Sequence, residues 1–389
     1  MKSSTTQTII VTFFLLIIPT SFAAPPKLED SFTQCLTTFK PSDPKFPIQN
    51  FTYTQENPNF LIILNNYVRN LRYFNGITRK PVAIVAAAHF THIQATINCA
   101  KKLGLQLRIR SGGHDYDGMS YLSTVDFVVL DMFNLRSIEI DPKLDTACVQ
   151  SGATLGEIYY NVANKSNNLR GFPAGICPGL GARGHFSGGG YGNMMRKYGL
   201  SIDNNIDAKT VDANARVLDR SSMGEDLFWA IRGGGAASFC VVLAWKIKLV
   251  PVPEKVTVSI VDLGNGWKPR RSKPSTETAF PHRAGNMFKI QYSSNWFVPG
   301  EEAASDCLSQ TERVFKAMSP YVSKNPREAF LNYRDVDIGK NLNSTYEEGK
   351  VYGVKYFMNN FERLVQVKTR VNPDNFFRYE QSIPVHLNR

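Results

Sequence analysis

Three glycine clusters carry the first chemical signal in this sequence: Gly112-Gly113, Gly188-Gly189-Gly190 with Gly192, and Gly233-Gly234-Gly235. Closely spaced glycines let backbone N–H groups approach phosphate oxygens with no Cβ in the way. Three such loops exceed what chain reversal needs, so they point to a phosphate-bearing cofactor. His114 closes the first cluster, and Cys177 lies between Pro173 and Pro178. On residue type alone, a loop histidine capping a turn and a buried small hydrophobe are the simpler readings of these two. Gly179-Leu-Gly181-Ala-Arg-Gly184 matches G-x-G-x-x-G, the dinucleotide fingerprint. That motif requires a strand before it and a helix opening within it, whereas here prolines precede and a second glycine run follows. A nicotinamide-type Rossmann site is therefore excluded on context.

The surrounding pattern supplies elements to hold these loops. Apolar residues at helical spacing predict a helix over Asn59–Phe74, a strand over Pro81–Ala86 and a helix ending at Gly104. Leu105–Arg110 alternates as a strand and runs into Ser111-Gly112-Gly113-His114. Phe127–Asp131 and Thr146–Gln150 read as strands, and Leu155–Asn164 as a helix. The alternation predicts an α+β or α/β domain to about residue 250. Pro251-Val-Pro253 marks a boundary. Beyond it Met287–Trp296 reads as a strand with Lys289 and Gln291 on one face, and Glu301–Met318 as a helix.

The N-terminus sets the expected compartment. Lys2, the apolar run Ile9–Ile18 and Ser21-Phe22-Ala23 predict a cleaved secretory signal over 1–23. No later stretch is apolar enough to span a membrane. Sequons at Asn50, Asn164 and Asn343 are candidate glycosylation sites in a secreted chain. The length of 389 residues suggests two or three domains, and 43% hydrophobic content suffices for packed cores. The net charge of +12 favours acidic wall polymers over nucleic acid, with a solvated basic surface the simplest reading. Six cysteines without a C-x-x-C give neither a disulfide scaffold nor a metal site; Cys35 and Cys99 are the candidate pair for one bridge.

Five blocks together resemble the berberine-bridge-enzyme-like (reticuline-oxidase-like) family of plant FAD-linked oxidoreductases. They are RSGGHDYDGMSY from Arg110, the stretch Cys177–Tyr198 with its GHFSGGGYG core, DLFWAIRGGGAASFCVV from Asp226, NYRDVDIG from Asn332, and NPDNFFRYEQSIP within Tyr356–Pro384. The resemblance implies an α+β chain: a vanillyl-alcohol-oxidase-type FAD-binding domain over 24–250 and a reduced substrate domain with antiparallel sheet over 251–345. A C-terminal segment, 346–389, returns to the FAD-binding domain. It also implies FAD bonded to both His114 and Cys177. The pairing suits the residue types, since an imidazole nitrogen and a thiolate can add to an electrophilic flavin. The loops holding FAD would include Arg110, Ser111, Gly112, Gly113, Gly188, Gly189, Gly190, Gly233, Gly234 and Asn332. Tyr191, Lys289, Gln291 and Tyr333 would line the substrate side. There a cationic Lys289 would stabilise a Tyr191 phenolate able to take a hydroxyl proton as hydride leaves. The expected activity of a monomeric chain is oxidation of an alcohol or sugar hydroxyl, on monolignol-like or oligosaccharide substrates. Gln291 stands where alkaloid-cyclising members carry a glutamate base, which argues against ring closure. Leu180 would crowd the face where oxygen meets reduced flavin, favouring dehydrogenase over oxidase behaviour.

Three departures from the family pattern bear on activity. Arg183 and Cys240 replace glycines beside the cofactor loops, and Arg183 requires either a φ compatible with a Cβ or a shifted loop. Asp262–Lys273 directly bridges a gap that a longer substrate-domain segment fills in the family. A splice product or a catalytically impaired flavin-binding remnant is the alternative reading.

Overall fold

The computed structural model describes residues 27–68, 70–73, 78–255, 273–283, 289–297, 300–325 and 327–386. The expected signal segment and residues 262–272 of the expected junction lie outside these.

The first layer comprises α1 (Leu28–Thr38), β1 (Thr52–Thr54), α2 (Phe60–Asn65), β2 (Ala83–Ala86), α3 (Phe90–Lys102), β3 (Gln106–Arg110) and β4 (Phe127–Asp131). Its sheet runs β1-β2-β4-β3, with β4 parallel to both β2 and β3. Every residue of β2, β3 and β4 is buried. The alternation in β3 therefore does not mark a solvated face. Its polar members are instead satisfied internally, as buried donors must be. Ser123 Oγ donates to Gln106 Oε1 at 2.6 Å, and Arg108 and Arg110 pair with Glu380 and Asp131. Cys35 and Cys99 are disulfide-bonded with Cα atoms 5.8 Å apart, tying α1 to α3.

The second layer comprises β5 (Ile138–Asp141), β6 (Thr146–Gln150), α4 (Leu155–Lys165), β7 (Arg170–Gly171), α5 (Ala182–Ser187), α6 (Met195–Tyr198), β8 (Asn205–Val211), β9 (Val217–Leu218), α7 (Arg220–Ile231), β10 (Val241–Lys248) and β11 (Val250–Pro251). An antiparallel sheet runs β5-β6-β10-β8-β9, and β7 pairs separately with β11. Thr154 and Glu157 form a capping box that starts α4, and Arg136 binds the same carboxylate at 2.6 Å. Trp245 on β10 is fully buried, anchoring a core that also takes side chains from α9 (Tyr346–Phe357) and α10 (Phe361–Val371). After α10 the chain stays inside the molecule. Phe376 and Phe377 join the core of the parallel sheet, and Ile383 that of the antiparallel one.

Two expected elements are corrected. The helix expected over Asn59–Phe74 forms as α2, which ends at Asn65, and a 3-10 turn over Leu71–Tyr73; asparagine is a poor helix former, and Asn65 and Asn66 stand where α2 stops. The strand expected over Met287–Trp296 is not one: residues 289–296 are irregular, and among the described residues no strand lies beside them. Period-two patterning does not hold a strand without a hydrogen-bonded neighbour. The antiparallel sheet of the fold lies before residue 250, and among the described residues no strand follows Pro251. α8 (Glu301–Met318) forms as expected, with only Ala304 buried.

Candidate functional site

β3 delivers its C-terminal end to the first glycine loop. The Arg110 guanidinium anchors the base of that loop. It donates to Asp131 Oδ2 at 2.7 and 3.0 Å and to the carbonyls of Ile63 and Leu64. Ser111 Oγ donates to the Ser151 carbonyl at 2.6 Å. A Cβ on Gly112 would sit 2.4 Å from the Gly181 nitrogen and 3.0 Å from the Gly179 oxygen, so the two loops lie backbone on backbone. Across this contact His114 Nε2 reaches 3.3 Å from the Cβ position of Gly179. Cys177, two residues earlier on that second loop, is exposed. The fold thus brings the His114 and Cys177 loops together, although 63 residues of sequence separate them.

The other two glycine clusters meet at Ser187, whose carbonyl accepts from Gly233 N–H at 2.8 Å and Gly235 N–H at 3.1 Å. A Cβ on Gly188 would overlap Asn332 Oδ1, and one on Gly233 would lie 2.3 Å from the Phe280 nitrogen. Asn332 also donates to the His185 carbonyl at 3.0 Å. Gly188, Gly233 and Asn332 therefore act by locking loops to one another. The molecule nonetheless suits an anionic dinucleotide: the buried guanidiniums of Arg108, Arg183 and Arg334 each keep nitrogens with no partner among the described residues.

Tyr191 follows the second cluster, and its hydroxyl hydrogen-bonds that of Tyr333, which sits on the turn Leu331–Tyr333. Lys289 Nζ lies 3.5 Å from the Tyr191 ring centre, 4.0 Å from that of Tyr333 and 3.9 Å from that of Phe330. The ammonium thus rests on ring faces, where a cation is held by the π quadrupole. Burial lowers Lys289 from 10.5 to about 7. Burial also raises Tyr333, followed by its bond to Tyr191 and by nearby charges, including that of Cys177. Tyr333 therefore holds its proton tightly, and either hydroxyl can donate within the pair. Gln291 donates to the Tyr116 hydroxyl at 2.9 Å, and the Tyr116 ring lies 5.9 Å from that of Tyr333. All four expected substrate-side residues line one cleft of about 2810 Å³.

Three residues of this site carried no distinct sequence signal. Tyr116 and Phe330 are ordinary aromatics within their blocks. His185 Nε2 accepts the Gly175 N–H at 2.9 Å, which makes Nδ1 the protonated nitrogen. Burial, reinforced by the charge of Lys289, lowers His185 from 6.5 to about 4. Arg183 lies on α5 and needs neither a positive φ nor a shifted loop. Cys240 is fully buried, and its thiol is pushed up to about 12 by that burial. Leu180 packs against the core of the antiparallel sheet. The three sequon asparagines are exposed. Among the described residues no helix is long and apolar enough to cross a membrane, and no cluster of metal-ligating side chains occurs.

Comparison with known proteins gives these features a context. A family model described as "FAD binding domain" matches residues 81–221, and one described as "Berberine and berberine like" matches 329–384. The chain is 67% identical to berberine bridge enzyme-like 14 of Arabidopsis thaliana, in an alignment that covers 100% of each chain. It is similar to the solved structure of BBE-like 28 from Arabidopsis thaliana, at 33% identity and a TM-score of 0.81, covering 92% of this chain and 100% of that one. Wild-type Phl p 4.0202, described as a glucose dehydrogenase, aligns at 32% identity and a TM-score of 0.83 with the same coverage.

Proposed function

Because the chain belongs to the berberine bridge enzyme-like family of FAD-linked oxidoreductases, we propose that it oxidises an alcohol or sugar hydroxyl using FAD attached through both His114 and Cys177. FAD supplies the hydride acceptor. The chain's own residues handle the proton. Tyr191 Oη takes it from the substrate hydroxyl, and Tyr333 donates a hydrogen bond that stabilises the resulting charge. Lys289, on the faces of both rings, offsets that charge while it is protonated. Gln291 and Tyr116 present an amide and a hydroxyl that can orient a polyol or phenolic alcohol. The observation that carries this reading is the Tyr191–Tyr333 pair under Lys289, facing the cleft beside the Cys177 loop. With Gln291 in the cleft and no carboxylate base on that segment, alkaloid ring closure is not part of the proposal.

Secretion is part of the proposal, supported by the N-terminal pattern, the disulfide and the three exposed sequons. A second reading, a flavin-binding remnant with impaired turnover, rests on the sequence itself, where Asp262–Lys273 bridges a gap that a longer substrate-domain segment fills in the family.

Acid precipitation of the purified protein tests the attachment, and a yellow pellet is expected. Flavin-bearing peptides should map to His114 and Cys177, and His114→Ala or Cys177→Ala should leave one bond each. Two bonds persisting in either variant would refute the assignment. Stopped-flow reduction by candidate alcohols and sugars then separates the two readings. In Tyr191→Phe the reduction rate should fall about 10²- to 10⁴-fold, the span typical of a lost general base. No reduction of the unsubstituted protein by any candidate would favour the remnant.

A further inference from the structure

Among the described residues, the fully buried cations are matched to partners with one exception. Arg108 pairs with Glu380 at 2.8 Å, and Arg334 faces Asp115 at 3.4 Å. Lys368, fully buried, donates to the carbonyls of Ser238 and Phe377, and burial lowers its pKa, which opens a neutral state. Arg183 has neither route. It is only 4% exposed, and its Nε and Nη2 have no hydrogen-bond partner among the described residues. No carboxylate forms an ion pair with it there. The titratable groups whose charges act on it are Cys240 and Tyr379; the first is held neutral by burial at about 12. Burial lowers Arg183 itself only to about 10, so it stays charged at neutral pH. A guanidinium in such a place costs several kcal/mol unless an anion meets it.

The position of Arg183 says which anion. It lies on α5, two residues after Gly181, whose backbone packs on Gly112 of the first loop. Tyr379, its second neighbour, shares a hydrogen bond with Ser238 at 3.2 Å, and its hydroxyl lies 3.9 Å from the Cβ position of Gly235. Arg183 thus sits among all three glycine clusters, in the part of the molecule matched by the FAD-binding family model. The anion that FAD carries is its diphosphate.

We propose that Arg183 is the counter-cation of the FAD diphosphate, replacing backbone-only recognition at this point with a charge-assisted contact. Its unpartnered Nε and Nη2 form one guanidinium edge, a geometry suited to bidentate pairing with phosphate oxygens. Arg183 is a binding residue here and takes no part in the proton transfer.

The inference rests on FAD binding but not on covalent attachment, and its test keeps the two apart. In a His114→Ala, Cys177→Ala background flavin is held by noncovalent contacts alone. Apoprotein is titrated with FAD and, separately, with riboflavin, following flavin fluorescence. Arg183→Met should weaken FAD binding about 10- to 100-fold, as expected for loss of a hydrogen-bonded charge. Riboflavin, which has no phosphate, should bind as before, and Arg183→Lys should recover part of the FAD affinity. The apoprotein's unfolding midpoint should rise in Arg183→Met, because an unpaired buried charge has been removed. Unchanged FAD affinity in Arg183→Met would overturn the proposal. So would equal weakening of FAD and riboflavin, or a lowered apoprotein midpoint, either of which marks a purely structural arginine.

Discussion

His185 should make the fold acid-sensitive in a window set by its burial. It titrates at about 4 in the folded protein against an ordinary 6.5, because burial disfavours imidazolium and the charge of Lys289 adds to that. Above pH 6.5 the ring is neutral whether the chain is folded or not, and no penalty exists. Between 6.5 and 4 the unfolded chain takes up a proton that the folded chain refuses, so stability falls as pH falls. Below about 4 the loss is complete at about 3 kcal/mol, taking about 1.4 kcal/mol per pH unit. Asp117 works the other way: burial pushes it up to about 6, so its protonation stabilises the fold as pH falls through that range. The comparison must therefore be between the natural protein and His185→Gln, whose side-chain oxygen can still accept the Gly175 N–H. Urea unfolding followed by circular dichroism at pH 4, 5, 6 and 7.5 gives the two curves. Their difference should grow by about 3 kcal/mol from pH 7.5 to 4, with the natural protein losing more. Parallel curves would show that His185 is not held neutral and that its bond to Gly175 does not fix its protonation.

Leu180 and the disulfide give two further tests. Leu180→Val should speed reoxidation of the reduced protein by oxygen at least about tenfold, the equivalent of ~1.4 kcal/mol, as read by stopped-flow mixing with aerated buffer; an unchanged rate would remove Leu180 from the oxygen path. Cys35 and Cys99 close a loop with a sequence separation of 64, so the Cys35→Ser, Cys99→Ser double variant should lose about 2–4 kcal/mol of stability. A loss below about 0.5 kcal/mol in thermal unfolding would show that α1 is held to α3 by packing alone.

The parts of the site that depend on local chemistry were legible in the sequence. Glycine spacing marked the loops, the β3 pattern led into the first of them, and family blocks singled out Tyr191, Lys289, Gln291 and Tyr333, which the fold gathers around one cleft. The parts that depend on distant neighbours were not. Residues 289–296 alternate like a strand, but a strand is a property of two segments, and no described neighbour pairs with this one. His185 read as one histidine among six, since nothing local announces that a Gly175 N–H and Lys289 will surround it.

The glycines show the same limit from the other side. Composition says that a Cβ is missing and does not say what occupies the space. At Gly188 it is Asn332, at Gly233 it is the backbone of Phe280, and at Gly112 it is the Gly181 loop. Three clusters expected to cradle phosphate thus spend much of their freedom packing against protein. Arg183, which in sequence looked like a disruption of the glycine pattern, places a buried charge beside these loops. Its unpartnered nitrogens become visible only once burial and hydrogen bonding are known together.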